Sequence, residues 1–138
     1  MGSVKSGLTG VYKIGGKSGP EEREDPMKIT NALTAESAPN PHGVSARLIY
    51  DSPNAMGVHI TLMPGQSLKK HVTPVDVFFY VLEGTGIVEI GEERETVGRD
   101  MLIESPARIP HRLANEGDQL FRVLVVKVPK PTESKKIL

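Results

Sequence analysis

From Val44 to Val128 the apolar positions recur at every second residue, in short runs punctuated by Gly, Pro, Asn and Asp. A period of two is that of a strand whose successive side chains face opposite sides. The pattern predicts strands over 44–50, 56–63, 76–82, 86–90, 94–97, 101–104, 108–113 and 120–128. In the second of these, Val58, Ile60 and Leu62 share one face and His59, Thr61 and Met63 the other. The run from Asp76 to Leu82 is apolar on both faces and rich in Val, Phe and Tyr, as a buried strand is. Asp51-Ser-Pro-Asn54 and Pro64-Gly65 read as turns, and Gly91-Glu92-Glu93 as the bend of a hairpin. No stretch carries the period of an amphipathic helix. Many short strands at regular spacing imply an all-β sandwich or barrel.

The two ends differ from this pattern. Residues 1–26 scatter glycines among Ser and Lys and close on the charged run Glu21 to Asp25, so they are expected to be a mobile tail, natural or vector-derived, with Met27 as a native start in the second case. Gly15 to Gly19, GGKSG, lacks the spacing and preceding strand of a phosphate loop. Residues 27–130 are expected to form the folded domain, and 131–138 a polar tail that frays.

Composition narrows the function classes. A chain of 138 residues suits one domain with a real core. Its 17 basic and 17 acidic residues cancel, so no net field favours nucleic acid or an acidic membrane. Cysteine is absent, which removes disulfides and thiolate chemistry and leaves His, Asp, Glu or backbone oxygen to hold any metal. No run approaches the length of a membrane span, no apolar leader is evident, and a cytoplasmic location is the default expectation.

The chemistry must then come from four histidines, His42, His59, His71 and His111. His71 lies in PGQSLKKHVTPVDVFFYVLEG, Pro64 to Gly84, after a turn and before the buried strand. His111 follows Ile109-Pro110 in SPARIPHRLAN, Ser105 to Asn115. Strand ends at a barrel mouth are where ligands converge. With Gly65, His71 and Gly84 at the spacing of a first motif, and Pro106, His111 and Asn115 at that of a second, the chain resembles the cupin superfamily over residues 44–128. The resemblance implies a double-stranded β-helix, or jelly-roll barrel, that is commonly a homodimer and often holds a metal on three histidines and a glutamate.

Here the resemblance is incomplete. Thr73 stands at the family's second histidine position, Val77 at its glutamate and Arg108 at the middle glycine of the second motif, while the leading glycine is shifted to Gly98. Two imidazoles alone would leave a divalent ion mostly to water. His59, on a strand expected to neighbour His71, or Asp76, one residue before Val77, could complete a site with His71 and His111 for Zn, Fe, Ni, Mn or Cu(II). Alternatively, Asp76 caps its loop and His59 is a polar wall residue. His42, on a loop, is assigned no role; Lys69 and Lys70 are expected to face solvent, and Arg108 to be exposed.

Three readings follow, each with a small-molecule ligand and no nucleic acid. The first is a metal-dependent oxygenase or isomerase. The second is a metal-free histidine acid–base enzyme, of the epimerase or cyclase kind, with His71 and Asp76 as the candidate pair. The third is a barrel that binds a ligand without turning it over.

Overall fold

The computed structural model describes residues 26–138, so the expectations for the N-terminal tail and for GGKSG fall outside the described residues, Pro26 apart. Ten strands are described: β1 (Ser45–Ser52), β2 (Ala55–Leu62), β3 (His71–Val72), β4 (Asp76–Glu83), β5 (Thr85–Ile90), β6 (Glu93–Gly98), β7 (Leu102–Ser105), β8 (His111–Ala114), β9 (Phe121–Val128) and β10 (Lys136–Ile137). They form two five-stranded sheets, in the orders β1-β2-β9-β4-β7 and β10-β3-β8-β5-β6, with every pair antiparallel. This is an all-β double-stranded β-helix. No helix among the described residues is long and apolar enough to cross a membrane.

The alternation read from the sequence sets the packing. On β4, Val77, Phe79 and Val81 are buried, and on β9 Phe121, Val123 and Val125. These faces meet Leu113 and Val88 of the opposite sheet in one core. Burying a side chain the size of Phe79 contributes about 1.5–3 kcal/mol. The alternate residues of β4, Phe78, Tyr80 and Leu82, are only half buried, so this strand is less enclosed than its composition suggests.

Two positions show what the turns demand. Gly84, between β4 and β5, has φ +83° and lies so close to the Leu120 carbonyl that a Cβ would strike it. Arg108, at the second motif's glycine position, has a left-handed backbone (φ +68°), with its N–H donating to the Thr73 carbonyl at 2.9 Å. An L side chain there costs about 1–2 kcal/mol. Such geometry also delays the strand expected from Arg108, which begins at His111. At the C-terminus, residues expected to fray form β10, which pairs Lys136 with Val72 and Ile137 with His71. The Leu138 N–H adds a 3.0 Å bond to the Lys70 carbonyl.

Candidate functional site

A cavity of about 100 Å³ lies between the two sheets. Val58 and Ile60 of β2, Val77 and Phe79 of β4, and Val125 of β9 form its apolar wall. His71, Thr73 and His111 line the opposite wall. His71 and His111 are cross-strand partners of β3 and β8, which is why residues forty positions apart meet. Both are buried, as are Thr73 and Ser105.

The hydrogen bonds fix the tautomers of this pair. His71 Nδ1 lies 2.7 Å from the Lys69 carbonyl, which can only accept, so Nδ1 carries the proton. Its Nε2 therefore presents a lone pair, and His111 Nε2, 3.1 Å away, donates to it. His111 Nδ1 is left as an acceptor and takes the Ser105 hydroxyl proton at 2.7 Å. Ser105, His111, His71 and the Lys69 carbonyl thus form one directed chain, with a single proton between the two Nε2 atoms. The Thr73 hydroxyl stands 3.4 Å from His111 Nε2.

Burial disfavours the imidazolium form of both rings. His111 is pushed down to about 3 by desolvation first and by the neighbouring His71 second. His71 is also lowered by desolvation, but the bond to the Lys69 carbonyl acts in the opposite sense. The two environments therefore differ: His71 has an acceptor ready for a cation, and His111 faces a neutral hydroxyl.

The other two sequence candidates lie elsewhere. His59 is fully buried, yet Val58 and Ile60 on either side of it face the cavity, so His59 points to the other side of β2. There its Nε2 accepts from Arg122 Nε at 3.1 Å, and Arg122 also pairs with Glu83 at 3.0 Å. Asp76 is exposed on an outer groove and accepts the Ala107 N–H at 2.8 Å, capping the loop before β8. It is not paired with His71. Lys69, Lys70 and Arg108 face solvent, Arg108 with a loose 3.9 Å contact to Glu133.

Sequence reasoning misses four residues around this pair. His42 enters from the turn before β1, where Asn40 Oδ1 accepts its N–H at 3.0 Å. Its Nδ1 accepts the Lys69 N–H at 2.8 Å, its Nε2 lies 3.2 Å from Lys135 Nζ, and desolvation, aided by Lys135, lowers it to about 4. Lys127 follows the inward parity of Val123 and Val125 on β9, a signal available in the sequence. Lys135 is brought in by β10, and burial lowers both lysines. Ser105, the hydroxyl donor to His111, reads in the sequence only as a strand break.

These donors do not make a resident metal site. Among the described residues no three His, Asp or Glu are grouped to hold an ion. Thr73 offers a neutral hydroxyl and Val77 none, while His42 has its Nδ1 lone pair taken by the Lys69 N–H and turns Nε2 to Lys135. Zn, Fe, Ni and Mn need more than two imidazoles.

Comparison with known proteins agrees with this architecture. The cupin domain model matches residues 58–127. A tetracenomycin polyketide synthase protein, TcmJ of Streptomyces glaucescens, is 28% identical over 100 residues, 67% of this chain. The chain spans 66%, just under two thirds, of that relative's length. The crystal structure of TT1209 from Thermus thermophilus is 31% identical and covers 76% of this chain and 100% of its own, with a TM-score of 0.67. The polyketide cyclase RemF of Streptomyces resistomycificus shares the fold at 20% identity, with a TM-score of 0.70 over 81% of this chain and 85% of its own. A family match over half the chain, on a barrel with this strand order, identifies the protein as a member of the cupin family.

Proposed function

We propose that this cupin is a metal-free acid–base enzyme that moves a proton next to the carbonyl group of a small molecule. The observation that carries the reading is the 3.1 Å contact between His71 Nε2 and His111 Nε2, one a lone pair and the other an N–H. A carbonyl compound entering between them takes over both ends of that bond. His111 Nε2–H donates to the carbonyl oxygen, and His71 Nε2 removes the proton from the adjacent carbon. The carbon–hydrogen electron pair becomes the enolate, held by the His111 N–H. The resulting His71 imidazolium keeps its Nδ1–H on the Lys69 carbonyl and returns its new proton to carbon, to the same or another position. Two like groups with differing environments are the usual basis for dividing acid and base roles. His71 with His111 thus replaces the His71–Asp76 pairing expected from sequence.

The name of the Streptomyces glaucescens relative supports carbonyl chemistry, since polyketides are chains of carbonyl groups. The cavity volume, on the order of three liquid waters, favours a compact substrate over a multi-ring one.

Proton NMR in D₂O tests the reading, with pyruvate and acetoacetate as probes. Wild-type protein is expected to speed exchange of their α-protons for deuterium, and His71→Gln to lose roughly 10²-fold or more of that rate. His111→Gln is expected to fall comparably. Wild-type exchange no faster than buffer, or undiminished exchange in both variants, contradicts the proposal.

A further inference from the structure

The cavity carries a charge imbalance that the histidine chain does not use. Among the described residues its polar lining is Asn40, His42, Thr73, Lys127 and Lys135 beside the histidine pair, with no carboxylate. Neither lysine forms an ion pair among the described residues, although the chain carries as many acidic as basic groups. Lys127 is placed there by the inward parity of β9, between Met56 on one neighbouring strand and Val77 on the other. Lys135 is placed there by β10, whose pairing with β3 fixes the last residues beside His71.

His42 makes the imbalance specific. Its Nδ1 lone pair is occupied by the Lys69 N–H, so in the neutral ring the proton sits on Nε2. That N–H faces Lys135 Nζ at 3.2 Å, and an ammonium has only donors to offer. Donor meets donor, a conflict that an acceptor bridging both would relieve. A carboxylate oxygen would accept from both, and its charge would compensate the two partly buried lysines.

We infer that Lys127, Lys135 and the His42 Nε2–H form a carboxylate subsite, so that the substrate is a small carbonyl acid anchored by its carboxylate with its carbonyl against His71 and His111. The carbonyl chemistry rests on the acid–base reading above, whereas the subsite stands on its own geometry. A keto acid is compact enough for the cavity and supplies both groups within a few bonds. The subsite also gives the C-terminal strand a role, since Lys135 enters the site only when β10 is paired.

Calorimetric titration separates the two proposals. The probes are pyruvate and its neutral ester methyl pyruvate, with wild type, Lys127→Met, Lys135→Met, Lys135→Gln and His71→Gln. Pyruvate is expected to bind wild type roughly tenfold or more tightly than the ester, and each lysine substitution to abolish most of that preference. His71→Gln is expected to keep the preference while losing exchange. The methionine variants retain the length and apolar stem of lysine, and melting curves establish that they fold; Lys135→Gln, near the surface, gives a second reading of the same position. Equal binding of acid and ester by wild type, or an undiminished preference in the folded lysine variants, overturns the subsite. Lysine-dependent pyruvate binding without exchange supports the subsite and overturns the acid–base reading. Exchange of neutral ketones that ignores the lysines does the reverse.

Discussion

His71 and His59 are both buried histidines on strands of the same barrel, and in both desolvation lowers the tendency to protonate. They differ in what they face. His59 turns away from the cavity and spends its Nε2 lone pair on Arg122, whose guanidinium also holds Glu83. His71 points its lone pair at a second histidine on the wall of a cavity that two lysines also line. Burial and a lowered pKa therefore do not make a site. A lone pair directed into a cavity, with its other nitrogen fixed by a backbone carbonyl, is what distinguishes His71.

The sharpest way to break this comparison is to exchange the fates of the two residues. His71→Gln should cost roughly 10²-fold or more in α-proton exchange, while His59→Gln should leave exchange within about twofold of wild type. A large loss in the His59 variant would place the chemistry on the wrong side of β2.

Acid stability is the next largest effect. His111 and His42 are held at about 3 and about 4, below the ordinary 6.5. As pH falls through 6.5 the unfolded chain takes up protons that the folded protein refuses. Stability should thus be flat just above neutrality and fall between pH 6.5 and 3, by up to about 1.4 kcal/mol per pH unit for the buried His111 and by less for the partly exposed His42. Urea melts across that range should show it, and His111→Gln should flatten the slope. A slope unchanged in that variant would mean that His111 is not held neutral.

How much of this was legible in the sequence depends on how local each signal was. Strand parity and the glycines at 65 and 84 specify a barrel, because a period of two and a forced left-handed turn are properties of neighbouring residues. His71 and His111 were legible as a pair through their motifs. The face of His59 was not, because parity says only that it opposes Ile60, and which face is inward depends on what Ile60 packs against. Asp76 could not be placed from strand parity, because its partner is a loop N–H thirty-one residues away. His42 and Lys135 escaped because the His42 ring is fixed by the Lys69 N–H twenty-seven residues away, and Lys135 is carried in by the neighbouring β10, whose partner strand is remote in sequence. Lys127 was readable, as a lysine at the inward parity of Phe121, Val123 and Val125.

Two smaller effects sharpen the contrast between site and scaffold. His59→Gln should cost about 1–2 kcal/mol of stability in thermal melts, since His59 is buried and its bond to Arg122 is partly so. Arg108→Gly should raise stability by about 0.5–1 kcal/mol, because the left-handed backbone is retained without a Cβ and glycine's extra unfolded-state freedom offsets part of the gain. Neither substitution should alter exchange.

The most direct test of the central claim is the rate of pyruvate α-proton exchange by protein stripped of metal with a chelator and then dialysed. The account predicts the same rate before and after stripping, and no gain on adding Zn, Ni, Mn or Fe(II). A rate that disappears with the metal and returns with it would contradict a site run by His71 and His111 alone.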